Sequence, residues 1–551
     1  MKLPTRLSIV AGLLGLGLLI GAVKASILQL ARGSALKELA ERQYLRSIRY
    51  SHFRGDIADR KGRLLATSVA LHSVYAEPRK MNHPDRVARA LKSALPSLTK
   101  IDLERLFSDR SFSWLARRID PNTSAEIADL KLEGIGISEE EQRFYPNHAL
   151  LGQTLGFVSI DGESLGGIEH AFERYLKPKV WNTLTYQDAR AKSIRTYVAP
   201  HQEDLRGDQI TLTIDRNIQY ETEEILKETV KNHHAKAGWA IVMKPKTGEI
   251  LALANVPLVN PNRPGKNLSL WRNNAISRTG EPGSTFKMVT FSAAMDLGLL
   301  QPDEKINCEK GVWDLGYITI RDVSKREWLT PGEIFKYSSN IGTFKLAQRV
   351  GKERLYEMIR QFGYGELPGL NMAEEAKGYV SKPETWASSR FANLSFGYGL
   401  MASSLQVVNM VNTIANGGVR VAPQILKEIK KSNGETYHPL LSNPSVRILK
   451  PETAKLLTHY MIQDTESDGS GKRAAIEGIR VAGKTGTTEK LGASGRYAKN
   501  LNISSFVGFA PAEHPEIVAL VAIDEPKGIA YGGYVAAPAW KRIVEAALLQ
   551  I

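Results

Sequence analysis

The chain has 551 residues, of which 42% are hydrophobic and 24% are charged. This composition is typical of a globular protein and excludes a largely disordered chain, and the length allows roughly two to four domains. The formal net charge of +15 is spread along the sequence without an Arg/Lys tract interleaved with aromatic residues. The charge therefore indicates an anionic membrane surface or an anionic substrate, and no nucleic acid.

The first element is an apolar segment from Arg6 to Val23, which has no charge between Arg6 and Lys24. Its length predicts a membrane-spanning helix, with residues 1–6 as a cytoplasmic tail and residues 7–31 as the anchor. A cleaved signal peptide is the alternative, because Val23-Lys24-Ala25 loosely resembles a cleavage site. The run is longer than the usual apolar part of a signal peptide. We therefore expect a single-pass protein of the cytoplasmic (inner) membrane, with most of the chain extracytoplasmic.

An α+β module is predicted for residues 32–206. "SALKELAERQYLRSI" has helical periodicity, as expected of a stalk helix leaving the membrane. "RGDIADRKGRLLATSVALHSVYAEP" predicts a turn and a β-hairpin. The pattern is helical from Asn82 to about Ile137, and another helix is expected near Ile168 to Leu176.

A second domain is predicted from residue 207 to residue 551. "DQITLTIDRNIQYETEEILKETVKN" indicates a strand and an amphipathic helix, and "AGWAIVMKPKTGEILALANVP" indicates a hairpin. Three strand-like runs, "GIRVAGKTGT", "NISSFVGFAPA" and "EIVALVAID", precede a C-terminal helix, whereas residues 284 to about 418 are mostly helical. We expect an α/β domain whose mainly antiparallel sheet comes from both ends of the domain, with a helical subdomain inserted between them.

Three motifs occur in order in this second domain: S-x-x-K at Ser284–Lys287, S-x-N at Ser338–Asn340 and K-T-G-T at Lys484–Thr487. Singly they are weak, because S-x-x-K also starts at Ser34 and Ser97 and K-T-G at Lys246, where the hairpin turn explains it. An isolated match indicates only a helix cap, a reading that also remains open for Ser338 and Asn340. Three matches in one domain of the predicted type are far more specific.

Ser284 has the local sequence of a nucleophile. Pro282 and Gly283 predict a turn, which places Ser284 at a helix N-terminus, where backbone N–H groups favour developing negative charge. Lys287 lies one turn later and can reach the hydroxyl. A free lysine has a pKa of about 10.4 and is a poor base near neutrality. Burial beside a second cation, for which Lys484 is the candidate, would lower that pKa.

The three motifs in this order resemble those of the penicillin-recognising serine acyltransferases, which include penicillin-binding proteins and serine β-lactamases. "RGDIADRKGRLLATS" and "GGIEH" are similar to pedestal signatures of class B penicillin-binding proteins. "LSFGYGLMASSLQ" and "YGGYVAAPAWKRIV" are similar to the division-type penicillin-binding protein 3 (FtsI) group. The resemblance covers the chain from the anchor to the C-terminus. It implies a transpeptidase fold over residues 207–551 on an elongated pedestal of the dimerisation type over residues 32–206.

The resemblance also implies a D,D-transpeptidase reaction that β-lactams inhibit. The nucleophile attacks the penultimate D-Ala of a peptidoglycan stem peptide, the terminal D-Ala leaves, and an amine of a neighbouring stem peptide takes the acyl group. Ser338 relays a proton to the leaving amine, and Asn340 holds Lys287 and the substrate amide. The K-T-G-T motif binds the donor carboxylate through its lysine and threonines, and its glycine leaves room for the substrate strand. The implied residues are catalytic Ser284, Lys287, Ser338, Asn340 and Lys484, substrate-binding Thr485, Gly486 and Thr487, and the oxyanion-hole N–H groups of Ser284 and Thr487.

The length of the N-terminal module indicates which activity a partner must supply. Residues 32–206 cannot hold both a pedestal and a glycosyltransferase domain of roughly 200 residues. The resemblance therefore implies a membrane polymerase of the SEDS type (FtsW-like) and other division proteins as partners.

No cofactor and no metal are expected. Some elongation-specific relatives have a metal site between the first two motifs, but residues 284–340 contain no histidine, which favours division. Cys308 is the single cysteine, so it forms no intrachain disulfide and is predicted to lie in the core. Elongation-specific and sporulation-specific transpeptidases, a β-lactamase, and a β-lactam sensor or scaffold without catalysis remain alternatives. Gly280 departs from the aromatic residue usual in such relatives.

Overall fold

A computed structural model of the chain describes residues 3–187, 193–196, 205–439, 445–466, 468–491 and 497–551. The chain divides into two compact units, one comprising Met1–Phe53 and Pro178–Gly207, the other Arg54–Lys177 and Asp208–Ile551. In chain order, the helices of the described residues are α1 (Leu3–Ser26), α2 (Gly33–Tyr44), α3 (Pro84–Ala94), α4 (Lys100–Glu104), α5 (Pro121–Asp129), α6 (Gly152–Leu155), α7 (Gly167–Ala171), α8 (Glu173–Leu176), α9 (Arg216–Asn232), α10 (Asn274–Ser277), α11 (Lys287–Asp296), α12 (Pro331–Lys336), α13 (Asn340–Val350), α14 (Lys352–Gln361), α15 (Ser388–Ser395), α16 (Ser404–Ala415), α17 (Pro451–Thr465) and α18 (Gly532–Leu548).

The strands of the same residues are β1 (Leu45–Ser51), β2 (Ile57–Ala58), β3 (Leu64–Ala76), β4 (Ser113–Ile119), β5 (Ile135–Phe144), β6 (Phe157–Val158), β7 (Ser164–Leu165), β8 (Val180–Gln187), β9 (Ser193–Thr196), β10 (Gln209–Leu212), β11 (Ala237–Met243), β12 (Ile250–Val256), β13 (Thr279–Gly280), β14 (Ile306–Asn307), β15 (Val312–Asp314), β16 (Thr319–Arg321), β17 (Trp328–Leu329), β18 (Ala402–Ser403), β19 (Val419–Arg420), β20 (Leu426–Lys430), β21 (Thr436–Tyr437), β22 (Val446–Arg447), β23 (Ala482–Leu491), β24 (Tyr497–Ala510) and β25 (Ile517–Asp524).

The first unit begins with α1, in which the side chains from Pro4 to Ser26 are exposed. The segment Pro4–Leu30 contains a stretch of 18 residues with a mean hydropathy of 2.1 and is the one helix in the described residues that is long and apolar enough to cross a membrane. The predicted stalk helix is shorter than expected, because α2 ends at Tyr44 and β1 begins at Leu45. The backbone of β1 pairs antiparallel with β8, which in turn pairs with β9. This pairing replaces the helical hydrogen bonds that the local pattern favoured.

The second unit contains a seven-stranded sheet with the order β21-β20-β10-β2-β3-β4, in which β5 pairs with β3. The predicted hairpin is confirmed as β2 and β3. Helices α3 and α5 are also confirmed, but β4 lies where the sequence predicted helix, and β5 begins at the end of that stretch. The strand β5 reads "IGISEEEQRF", so its charges hide the alternation. Neighbouring strands satisfy those charges, since Glu140 accepts from Ser73 and, at 2.6 Å, from Arg117.

A buried ionic cluster joins the two pedestal signatures within this unit. Glu169, from "GGIEH", has no exposed side-chain surface and accepts hydrogen bonds at 2.6 Å from both Arg54 and Arg143. The hydroxyl of Tyr145 donates to the same carboxylate at 3.2 Å. Because two guanidinium groups and a hydroxyl surround one buried carboxylate, removal of Glu169 would leave Arg143 buried without this carboxylate partner. The cluster explains why these sequence-distant segments fold together.

The sheet of the predicted α/β domain has five antiparallel strands in the order β12-β11-β25-β24-β23. This confirms the predicted hairpin, the three predicted downstream strands and the assembly of the sheet from both ends of the domain. Helices α9 and α18 pack on one face, and the inserted helical subdomain packs on the other. The strand β10 belongs instead to the seven-stranded sheet. The strand β23, which carries K-T-G-T, lies at an edge beside the helical subdomain.

The helical subdomain runs from α10 to α17 and forms most of the larger core. Cys308 is fully buried, as predicted. A small hairpin of β15 and β16, which the sequence pattern did not reveal, precedes α12 and α13. The other K-T-G match is a turn between β11 and β12, as expected, where Gly248 has a φ of +74°.

Candidate active site

Ser284 lies in a 3-10 turn, Gly283–Phe286, that leads directly into α11. Gly283 has a φ of +57°, and its N–H donates to the carbonyl of Gly397 at 3.0 Å. A Cβ at Gly283 would lie 2.8 Å from Thr488 Oγ1 on β23, so glycine lets the turn approach the sheet closely. Ser284 is half-buried and caps neither the turn nor α11 in the described structure. Its hydroxyl is therefore available for chemistry.

Lys287 is fully buried and faces Ser338. Its Nζ donates to the Ser338 carbonyl oxygen at 2.5 Å and to Ser338 Oγ at 3.0 Å. Burial, followed by the positive charge of Lys484, lowers the pKa of Lys287 to about 7, whereas Asp322 and Asp464 act in the opposite direction. Near neutral pH a substantial fraction of Lys287 is thus an uncharged amine. Such an amine is a competent base next to the α11 turn.

Ser338 has the left-handed backbone conformation, with a φ of +56°. This conformation is uncommon for a residue with a side chain and is held by the end of α12 and the start of α13. The Ser338 N–H donates to the carbonyl of Phe335 at 3.1 Å, and that of Ser339 donates to Ile334 at 2.9 Å. The tight turn presents both oxygens of Ser338 to Lys287.

Ser339 is the N-cap of α13, which contradicts the capping alternative for Ser338 and Asn340. Ser339 Oγ accepts from the N–H of Gly342 at 2.9 Å and donates to Asp322 Oδ2 at 2.5 Å. Asp322 Oδ1 accepts from the N–H groups of Asn340 at 2.6 Å and Ile341 at 3.1 Å. Asp322 therefore fixes the start of α13. No sequence signal identified it, because it follows the hairpin that the pattern did not reveal.

Asn340 is the first residue of α13. Its side-chain Nδ2 donates to the carbonyl of Arg321 at 2.9 Å. No hydrogen bond joins Asn340 to Lys287 in the described part of the chain. The amide is thus held at the site by the β15–β16 hairpin, with Oδ1 left as the group that can accept from a ligand.

Lys484 is fully buried on β23 and pairs with a carboxylate that the sequence analysis missed. Its Nζ lies 2.8 Å from Asp464 Oδ1 and 5.5 Å from the centre of the Phe335 ring. Ser470 Oγ also donates to Asp464 Oδ1, at 2.8 Å, and lies 2.7 Å from the hydroxyl of Thr485. A buried ion pair with Asp464 thereby holds Lys484 of the K-T-G-T motif in place.

The remaining residues of the motif occupy the edge of the sheet. Thr487 Oγ1 accepts from the N–H of Gly532 at 3.0 Å, which leaves the hydroxyl proton free to donate to a ligand. A Cβ at Gly486 would lie 2.4 Å from Ser505 Oγ and 3.0 Å from Thr285 Cγ2. Glycine is therefore required here by contacts within the protein itself, which adds to its predicted role beside a substrate strand.

Glu281 bridges two segments beside the Ser284 turn. It accepts from the N–H of Gly399 at 2.7 Å and from the hydroxyl of Tyr497 at 2.9 Å. The rings of Tyr398 and Tyr497 meet edge to face at 6.1 Å. The "FGYG" segment, Phe396 to Gly399, is a tight loop as expected, and Gly397 packs so closely on Gly283 that a Cβ would lie 2.1 Å from its carbonyl oxygen. Sequence reasoning did not single out Glu281.

Two family models match the chain. Residues 238–545 match the model described as penicillin binding protein transpeptidase domain, and residues 51–212 match the model described as penicillin-binding protein dimerisation domain. Together the two matches extend over most of the chain and include all three motifs.

Similar proteins match over nearly the full length. A probable peptidoglycan D,D-transpeptidase PenA of Neisseria meningitidis is 32% identical over 98% of this chain and 90% of its own length. The stage V sporulation protein D of Bacillus subtilis is 31% identical over 94% of this chain and 82% of its own length. The peptidoglycan D,D-transpeptidase FtsI of Escherichia coli is 30% identical over 97% of this chain and 89% of its own length.

A solved structure has the same architecture. Penicillin-binding protein 3 of Mycobacterium tuberculosis in complex with aztreonam superposes with a TM-score of 0.70 at 26% identity, covering 91% of this chain and 96% of that chain.

Proposed function

Because the chain belongs to the penicillin-binding proteins that join a transpeptidase domain to a dimerisation domain, we propose that it is a serine-type peptidoglycan D,D-transpeptidase. One observation supports this most directly. The buried Lys287, with a pKa lowered to about 7, is hydrogen-bonded to Ser338 and lies one turn from the half-buried Ser284. These are the groups that an acyl transfer through serine requires.

In the acylation step, Ser284 Oγ attacks the carbonyl carbon of the penultimate D-Ala of a stem peptide. Neutral Lys287 accepts the hydroxyl proton, and the bond to the terminal D-Ala breaks. Ser338, 3.0 Å from Lys287 Nζ, passes a proton to the leaving amine. An amine of a neighbouring stem peptide then attacks the Ser284 ester and loses its proton by the same route. The cross-link forms and the Ser284 hydroxyl is restored.

The donor peptide binds along the free edge of β23. Lys484 and the hydroxyls of Thr485 and Thr487 bind its terminal carboxylate, and Asn340 binds an amide of the peptide. The N–H groups of Ser284 and Thr487 stabilise the oxyanion, which in other acyl-transfer enzymes contributes roughly 3 to 4 kcal/mol per donor. Among the described residues β24 is the one strand that pairs with β23, and this supports the arrangement, because an extended peptide can add to the other edge as a further strand.

β-Lactams are proposed to acylate the same serine. Their cyclic amide occupies the position of the scissile peptide bond, and their carboxylate occupies the site of the donor carboxylate. The similar fold of a penicillin-binding protein 3 solved with aztreonam supports this part of the proposal.

The cellular role is proposed to be septal cell-wall synthesis during division. Residues 1–6 would be cytoplasmic and residues 7–31 would anchor the chain in the inner membrane. Residues 32–206 would form the pedestal and residues 207–551 the extracytoplasmic transpeptidase domain, working with a SEDS-type (FtsW-like) polymerase. Overall identity does not separate division from sporulation, since FtsI and the stage V protein match at 30% and 31%. Filamentation on depletion would support division, whereas rounding would support elongation and defective spores would support sporulation.

The test is intact-mass analysis of the full chain in detergent after brief incubation with benzylpenicillin, with peptide mapping of the adduct. We expect a long-lived adduct on Ser284 and none in Ser284→Ala. Ser97→Ala removes the serine of another S-x-x-K match and serves as the control that keeps wild-type labelling. Labelling of Ser284→Ala at the wild-type rate would contradict the nucleophile assignment. An adduct lost within seconds would indicate a hydrolase, and no adduct would indicate a scaffold.

A further inference from the structure

Asp464 is a fully buried carboxylate behind the proposed carboxylate-binding end of the site. It lies at the end of α17, and its Oδ1 accepts from both Lys484 Nζ and Ser470 Oγ at 2.8 Å. Its Oδ2 is buried and has no hydrogen-bond partner in the described structure. A Cβ at Gly471 would lie 2.9 Å from this Oδ2, so a glycine makes room for the carboxylate. The position is therefore built around a charged group.

The hydroxyl groups next to Asp464 form a chain with a fixed direction. Ser470 has one hydroxyl proton, and an ionised carboxylate only accepts, so Ser470 donates to Asp464. Ser470 Oγ can then only accept from the Thr485 hydroxyl, which lies 2.7 Å away. Lys484 and Thr485, two groups proposed to bind the donor carboxylate, are thus both held by Asp464 before a donor arrives.

The same carboxylate acts on the proposed base. The charged groups that act on Lys287 are Lys484 on β23, Asp464 on α17 and Asp322 after β16. Burial and Lys484 lower the pKa of Lys287, and the two carboxylates raise it. The negative charge of Asp464 therefore favours the protonated form of Lys287, against the effect of its own partner Lys484.

We propose that Asp464 is a positioning residue of the transpeptidase site, which fixes Lys484 directly and Thr485 through Ser470. Its negative charge also contributes to the pH at which Lys287 becomes a base. The proposal rests on the proposed function. When the donor binds, its carboxylate takes the place of Ser470 Oγ as acceptor for the Thr485 hydroxyl, while Lys484 lies between the donor carboxylate and Asp464.

The test is the second-order rate constant for acylation of the full chain in detergent by benzylpenicillin, measured as a function of pH. Asp464→Asn keeps an oxygen acceptor for Lys484 and Ser470 and removes the negative charge. We expect the rise of its rate to move to lower pH by at least about half a unit, because a negative charge that favours protonated Lys287 is gone. Asp215→Asn is the matched control. It removes a buried carboxylate paired with Arg63 at the start of α9, and the rise should stay in place.

Ser470→Ala separates the hydroxyl chain from the charge. It leaves the Asp464 side chain in place, so the midpoint should stay at the wild-type pH, but the plateau rate should fall roughly threefold or more as Thr485 loses its partner. Ser470→Thr should restore the rate. If Asp464→Asn does not fold, the two variants Ser470→Ala and Ser470→Thr provide the test. An unchanged plateau rate in Ser470→Ala overturns the proposal.

The outcomes distinguish this inference from the proposed function. A wild-type chain that is acylated on Ser284, with an unshifted midpoint in Asp464→Asn, overturns the role of Asp464 alone. A wild-type chain that is never acylated overturns the proposed function and this inference with it.

Discussion

Lys287 Nζ donates to two oxygens of the same residue, the carbonyl at 2.5 Å and the hydroxyl at 3.0 Å of Ser338. A neutral amine has two N–H bonds and one lone pair. When both N–H groups are directed to Ser338, the lone pair is left to accept the proton of Ser284. The geometry therefore suits the proposed role of Lys287 as base, while burial and Lys484 are what lower its pKa.

The first prediction concerns pH. The pKa of Lys287 is lowered to about 7, and the neutral form is the base, so the acylation rate should rise with pH through about 7. Lys287→Arg should abolish acylation, because a guanidinium stays charged throughout this range. The measurement is the rate of benzylpenicillin adduct formation against pH. A rate independent of pH between about 5.5 and 8.5 would contradict the assignment of Lys287 as base.

The second prediction concerns Asp322. Asp322→Ala removes the acceptor for Ser339 Oγ and for the N–H groups of Asn340 and Ile341. We expect the free energy of unfolding to fall by about 1 to 3 kcal/mol, and acylation to slow because the start of α13 places Ser338. Asp314→Ala, in the neighbouring hairpin at an exposed position, should change neither quantity appreciably. Thermal denaturation and adduct formation measure both effects.

The third prediction concerns the Glu281 bridge. Glu281→Ala removes the acceptor for the Gly399 N–H and the Tyr497 hydroxyl, and Tyr497→Phe removes the second of these bonds, so each should slow acylation by roughly three- to tenfold. The double variant should be no slower than Glu281→Ala, because both changes break the same bridge. Tyr317→Phe, an exposed tyrosine in the β15–β16 hairpin, is the control. Losses that multiply in the double variant would show that the two residues act separately.

The fourth prediction concerns Gly486. In Gly486→Ala the new Cβ would lie 2.4 Å from Ser505 Oγ, so β23 must shift and acylation should fall at least about tenfold. Combining it with Ser505→Ala should restore part of the rate, because the closest clash is removed. Gly280→Ala is the control, since its Cβ would meet nothing nearer than Ile503 Cδ1 at 3.9 Å. Wild-type kinetics in Gly486→Ala would refute the need for a glycine there.

The fifth prediction links Glu223 to stability. Burial raises the pKa of this carboxyl to about 7 from an ordinary value of 4.5. Between these two values the folded chain binds a proton that the unfolded chain has lost, so stability should fall as the pH rises from about 4.5 to 7, by up to about 3 kcal/mol.

Glu223→Gln keeps an acceptor for the N–H of Leu151 and should remove this part of the pH dependence. Glu224→Gln, which loses a more exposed ion pair with Lys227, should retain it. Midpoints of thermal denaturation at pH 5 and pH 8 measure the difference. An equal pH dependence in Glu223→Gln and wild type would disprove the linkage.

The sequence predicted those elements whose pattern is local. Hairpin β11–β12 and strand β25 are apolar runs bounded by turns, so their boundaries were readable. Strand β5 was missed because its glutamates bond to neighbouring strands, and the sequence pattern does not distinguish such residues from a solvated helix face. The first residues of β1 were predicted as helix, since only pairing with β8 makes them a strand.

The residues of the candidate site were likewise predicted where a local sequence motif marks them. Three motifs identified Ser284, Lys287 and Ser338, and the fold brings Lys287 and Ser338 into contact. Asp322 and Asp464 were not identified, because single carboxylates in polar segments resemble surface residues until distant elements bury them. The interpretation of Asn340 lacked its actual partner, the carbonyl of Arg321, for the same reason.

The position of β10 between β2 and β20 has a consequence for how the chain acquires its structure. This sheet takes one strand from near the start of the chain, one from the middle and one from late in the sequence. Sheets built from such distant segments fold slowly, because large loops must close before the strands can pair. Synthesis starts at the N-terminus, so the edge of β2 has no partner strand until β10 has been made. The edge of β10 likewise has no partner until β20 has been made. Nascent chains that stop before residue 426 therefore retain an open sheet edge, which makes them substrates for chaperones and proteases.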